Sequence, residues 1–151
     1  MSNEDDFELG ISTAASIANY VVQQRSPVGL FINALLPDSG QPVRILPSGD
    51  PGQLVNVLEA LARVILVPNT SFEKFLQGEQ SSLPWGATVV LVISRPLKYL
   101  SELLASLSKA GYKPMVLQVG EQPSDGIVSG VTWYNIKRPG DLVELGSKGG
   151  K

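Results

Sequence analysis

The chain has 151 residues, 43% of them hydrophobic and 17% charged, with a formal charge of -2. That length fits one packed domain, and a charged fraction below the roughly 25% of an average domain excludes a disordered chain; the charge balance excludes a sequence-wide basic field for nucleic acid or anionic lipid. Cysteine and histidine are both absent, which removes disulfides, thiol catalysis, imidazole acid/base chemistry, Ser-His-Asp triads and the usual Cys/His zinc sites.

The start, MSNEDDFELG, is acidic where an export signal carries positive charge and then an apolar stretch. No apolar run approaches the roughly 18–20 residues of a membrane span, the longest being the stretch around Val89 to Ile93. Localisation is left unassigned. From Phe7 to Gln24, Phe7, Ile11, Ala14, Ala15, Ala18, Val21 and Val22 recur at helical spacing. The pattern predicts an amphipathic helix with a small-residue face, Glu4, Asp5 and Asp6 complementing the dipole at its start. Gly10 costs about 1 kcal/mol inside a helix, which favours a start after it.

Val28 to Leu36 reads as a strand, turned by Pro37, Asp38, Ser39 and Gly40 into Val43 to Leu46 as a hairpin. In PSGDPG, Asp50 suits an N-cap and Pro51 the first helical position. A helix follows, with the stripe Leu54, Val57, Leu58, Leu61, Ala62 and Ile65. Pro68 to Pro84 reads mostly as connection, with a short helix over Ser71 to Leu76 that places Phe72, Phe75 and Leu76 on one face. ATVVLVIS reads as a strand buried on both faces, Pro96 to Lys109 as a leucine-striped helix ended by Gly111, and KPMVLQVGE as a second buried strand. Such a strand, helix, strand unit is parallel in almost all cases. A loop over Glu121 to Gly130, a short strand over Val131 to Ile136 and a flexible LGSKGGK tail complete the chain. The fold class is α/β, a mostly parallel sheet flanked by helices, with residues 1–145 as a single domain and 146–151 as tail.

Chemistry-bearing patterns are weak. Ser106 to Lys109 matches S-x-x-K, but it ends a leucine-striped helix where lysine suits the dipole, and S-D-N and K-T-G are absent. PSGDPG lacks the G-K-[ST] ending of a phosphate loop. Glu4, Asp5, Asp6 and Glu8 do not have the spacing of a calcium loop. The best-placed polar pair is Ser94 and Arg95, where a parallel strand ends, the edge at which open α/β sheets bind ligands. A small-ligand or nucleotide site there would use Asn33, Ser94, Arg95 and Gly120, with Arg95 as an anion anchor.

FELGISTAASIANYVVQQRSPVGLFIN, DPGQLVNVLEALARVI and WGATVVLVISRPLKYLSELLASLSKAGYKPMVLQVG, together covering Phe7 to Gly120, resemble in that order the bacterial family called domain of unknown function 58. The resemblance implies a von Willebrand factor A-like domain, often part of membrane-tethered proteins encoded near MoxR-type AAA+ ATPases. It also implies a first strand with an Asp-x-Ser-x-Ser metal motif before the first helix, where this sequence has only MSNEDD. The chain therefore looks like the C-terminal part of such a domain. Where metal-binding members commonly carry an aspartate, this chain has Ile93, Ser94 and Arg95, so no metal and no cofactor is expected. Without a first strand, Val28–Leu36 and Val89–Ser94 are expected to pair directly or to join copies of the chain through their edges. The leading expectation is a non-enzymatic protein-interaction module that works in assembly or regulation with a MoxR-type AAA+ ATPase. The alternative is the small-ligand or nucleotide-binding domain, and a serine-lysine hydrolase comes third.

Overall fold

A computed structural model describes residues 3–67, 70–94, 99–120, 131–138 and 140–141. Its elements are α1 (Asn3–Gln23), β1 (Val28–Leu35), β2 (Pro42–Ser48), α2 (Gln53–Arg63), α3 (Phe72–Glu79), β3 (Thr88–Ile93), α4 (Leu100–Lys109), β4 (Lys113–Val119) and β5 (Thr132–Ile136), with a 3-10 turn over Gln80–Ser82. They form two compact units, one of the residues up to Thr13 and from Pro84 on, the other from Ala14 to Leu83. Helix α1 gives its first half to one unit and its second half to the other. The expected leucine-helix start at Pro96, the 121–130 loop and the tail lie outside the described residues.

In the first unit, β3, β4 and β5 make a parallel sheet in that order. Strands β3 and β4 stay in register from Thr88 opposite Lys113 to Ile93 opposite Gln118, with α4 between them in sequence, the strand, helix, strand unit that the periodicity predicts. Central β4 is buried on both faces, Val116, Leu117, Gln118 and Val119 being at most 1% exposed. Strand β3, expected to be buried likewise, sits at the sheet edge. Its Leu91 and Ile93 are buried, while Val89, Val90 and Val92 are only half-buried.

Helix α1 covers the face that carries Val92, Val119 and Ile136, with Leu9 packed into that cluster. The helix runs through Gly10 rather than starting after it. A Cβ built at Gly10 would lie 3.8 Å from Val92 Cγ1 and 3.9 Å from Val119 Cγ2, so this turn lies close on the sheet and tertiary packing outweighs the helix propensity of glycine. Leu91, Ile93 and Val116 fall on the other face of the sheet by strand alternation. Helix α4 packs on β4 and buries Leu100, Leu103, Leu104 and Leu107. Gly111 closes α4 at φ +94°: its N–H donates to the Ser108 carbonyl and that of Tyr112 to the Leu107 carbonyl, the paired bonds of a Schellman end.

In the second unit, β1 and β2 form the expected antiparallel hairpin, with two breaks in register. Opposite Gly29, β2 carries an extra residue at Leu46–Pro47, a bulge. A Cβ at Gly29 would fall 2.7 Å from the Ile45 carbonyl oxygen and from Pro47 N, so only glycine lets the strands close here. Buried Gln53, at the start of α2, donates through Nε2 to the carbonyls of Val28 (2.7 Å) and Leu46 (2.9 Å), bridging the two sides of the bulge. The second break falls between Ile32 and Leu35.

Asp50 is not the cap of α2. The N-cap is Gly52, without a side-chain bond, and Asp50 belongs to the preceding turn, its N–H donating to Ser48 Oγ and its carbonyl accepting from Gln53 N. Helix α3 exists as predicted but runs on to Glu79, capped by Ser71 Oγ, which accepts from Lys74 N at 3.3 Å. Phe72 and Phe75 stack obliquely with centroids 6.2 Å apart, and Leu76 is buried. Arg44 of β2 reaches Glu79 Oε2 at 2.8 Å and Ser82 Oγ, and Arg63 pairs with Asp38 in the hairpin turn.

The direct pairing expected between Val28–Leu36 and Val89–Ser94 is not formed: the two strands belong to separate sheets. On β1, Leu35 is bridged by Ile65, while β3 pairs with β4. Among the described residues the parallel sheet thus has three strands, and the hairpin is a second sheet.

Candidate functional site

The carboxyl edge of the parallel sheet gathers the end of each strand. Ser94 follows β3, Gly120 follows β4, and Lys137 and Arg138 follow β5. Ser94 and Gly120 are thus brought to one edge, as their positions in the sequence imply. Arg95 lies outside the described residues. Asn33 belongs to the other unit, within the second break of the hairpin, and its amide is used at both ends: Nδ2 donates to the Thr70 carbonyl at 2.6 Å and Oδ1 accepts from Thr70 N at 3.3 Å. That arrangement ties the start of the α3 segment to β1, a structural task.

Two features of the edge are not visible from sequence spacing. Gly120 holds φ +101° and donates its N–H to the Ile136 carbonyl at 2.8 Å. Its open Cβ side is filled by Asp6 of α1, whose Oδ1 and Oδ2 would lie 2.8 and 3.1 Å from a built Cβ. Asp6 Oδ1 is buried without a hydrogen-bond partner, and an unpaired buried carboxylate oxygen costs stability. After β5, Asp141 Oδ2 accepts from the backbone N–H of Lys137 (2.8 Å) and of Arg138 (3.3 Å). The hydrogen bond from the Lys137 N–H is the largest influence on the Asp141 carboxyl and, joined by that from Arg138 and the two positive charges, holds it below its ordinary value against the opposing effect of desolvation. The signal for this turn in the sequence is the cluster KRPGD, a turn composition with an acid to accept from it.

Ser106 and Lys109 are both exposed on α4, and the Ser106 carbonyl accepts from Ala110 N at the helix end. The glycines of PSGDPG form the turn before α2. Among the described residues, no group of three or more aspartates and glutamates is placed to hold a metal ion. None of the described helices is long and apolar enough to cross a membrane.

What the surface offers is apolar area. In the second unit Val55 is 57% exposed, Leu58 39%, and Ile65, Leu66 and Val67 43% each. Leu58 and Ile65 belong to the apolar stripe read from the sequence. The buried positions of α2 are Gln53, Val57 and Leu61, so the helix turns a second, apolar side outward. In the first unit Trp85 is 90% exposed. No family model matches this chain, and no curated protein matches it in sequence.

Proposed function

We propose that the chain is a non-enzymatic protein-interaction module resembling part of a von Willebrand A-like domain of the domain of unknown function 58 type, acting in assembly or regulation with a MoxR-type AAA+ ATPase. The observation that carries the interaction reading is the exposed apolar side of α2 and the segment after it, Val55, Leu58, Ile65, Leu66 and Val67. Exposed large apolar side chains are the material of protein contact surfaces, whereas no group of three or more metal-ligating side chains comes together among the described residues. The element order supports the family reading: a helix, a hairpin and a second helix, then a parallel strand, leucine helix and parallel strand. The ATPase as partner rests on the resemblance of the quoted segments.

The test is a binding titration of the full chain against a purified MoxR-type ATPase, with Val55→Glu and Leu66→Glu variants alongside. The wild-type chain is expected to bind, and each variant to bind about tenfold more weakly, as for loss of an apolar anchor worth somewhat over 1 kcal/mol. A chain that leaves the ATPase unbound, or variants that bind unchanged, would overturn the reading.

A further inference from the structure

The edges of the described strands are protected to different degrees. Strand β2 carries Pro42, Pro47 and Arg44, and β1 is broken in register twice and bridged at Leu35 by Ile65. Strand β5 is only five residues long and runs straight into Lys137 and Arg138. Charges, prolines, bulges and short length are the devices that keep an edge from pairing. Strand β3, TVVLVI, is the longer of the two outer strands of the parallel sheet, and within its six residues it has no charge, proline or glycine, an unbroken register with β4, and β4 as its one strand neighbour among the described residues.

We infer that β3 pairs with β3 of a second copy of this chain, antiparallel about a twofold axis, making one continuous six-stranded sheet from two three-stranded ones. A second copy fits because the strand is self-complementary. An antiparallel pair about a twofold normal to the sheet keeps each face on its own side, so residues of equal parity meet. Centred on Val90, the pairing sets Val90 against its own copy and Thr88 against Val92 on the face that carries α1, with Val89 against Leu91 on the other. All are β-branched or aliphatic cross-strand pairs of the kind that stabilise a sheet. No like charges meet, since the strand carries none. Thr88 is exposed, and Val89, Val90 and Val92 are half-buried.

The inference does not need the ATPase, and its test uses the full chain alone. In sedimentation equilibrium over a concentration series, the wild-type chain is expected to dimerise. Val90→Lys and Val90→Glu each place like charges across the twofold and are expected to weaken the dimer about tenfold, while an equimolar mixture of the two is expected to restore it. A second measurement does not depend on the variants: amide hydrogen exchange in β3 of the wild-type chain is expected to slow as concentration rises. A wild-type chain that stays monomeric, variants that dimerise as tightly as wild type, or β3 exchange that ignores concentration would each overturn the proposal.

Discussion

In the parallel sheet, Leu91, Val116, Leu117 and Val119 are at most 2% exposed, and two leucines of α4, Leu104 and Leu107, are fully buried. In the hairpin, Val43 and Ala34 are the buried apolar residues, while the rest of β1 is half-buried and Leu46 is half-exposed. The strands of the two units are therefore held differently. The first unit rests on side-chain volume packed between a helix and a sheet. The second adds to its buried Val43, Val57, Leu61 and Leu76 a backbone device in the hairpin, a glycine that lets two strands approach and a glutamine that bonds the carbonyls of the bulge. The two should fail differently when single residues are changed.

The largest effect is expected at Leu104, which is 0% exposed. Leu104→Ala removes buried methyl groups and leaves a cavity against β4, and a loss of about 2–5 kcal/mol is expected in denaturant unfolding. Native-state hydrogen exchange should show Val116 and Leu117 amides losing protection while those of Phe31 and Ile32 keep theirs. Equal losses in both sheets would erase the distinction drawn between the units.

A smaller loss, about 1–3 kcal/mol, is expected from Gly29→Ala, because the new methyl overlaps the Ile45 carbonyl and Pro47 and the strands must part to admit it. Here the protection pattern should reverse, with Phe31 and Ile32 exchanging faster and Val116 unaffected. If the hairpin absorbs the methyl without loss of stability, its closure does not depend on glycine and the backbone account of this unit is wrong.

This difference also sets how much of the molecule can be read from its residues. The parallel unit was legible because volume packing leaves periodic traces: TVVLVI and MVLQV as strands, Leu100, Leu103, Leu104 and Leu107 at helical spacing, and Gly111 as the stop. The hairpin was legible as an alternation of strand and turn, but its bulge was not. The three residues that make the bulge, Gly29, Pro47 and Gln53, are separated in sequence, and a buried glutamine looks like a surface residue until its carbonyls are known. The site was half legible. Ser94 and Gly120 follow from strand ends, whereas Asp6 meets Gly120 through a contact over more than a hundred residues of chain. Asn33, polar in an apolar strand, looked like a ligand group because the Thr70 backbone that occupies it is invisible to spacing.

The smallest effect concerns two helix ends that share one hydrogen-bond pattern. At the end of α4, Gly111 N donates to Ser108 and Tyr112 N to Leu107; at the end of α1, Arg25 N donates to Val22 (2.9 Å) and Ser26 N to Val21 (3.1 Å). The residue in the left-handed position is Gly111 in one case, but exposed Arg25, at φ 61°, in the other. A side chain there costs roughly 1–2 kcal/mol, of which glycine returns about 0.5–1 kcal/mol through its greater unfolded-state entropy. Arg25→Gly is therefore expected to stabilise the chain by about 0.5 kcal/mol, and Gly111→Ala to destabilise it by a similar amount. Space does not decide the second case, since a Cβ at Gly111 meets Trp85 Nε1 at an ordinary 3.6 Å. Opposite signs in paired denaturation curves would confirm that both ends obey one backbone rule. A loss at both positions would mean that the Arg25 side chain contributes more to the folded state than its backbone strain takes away.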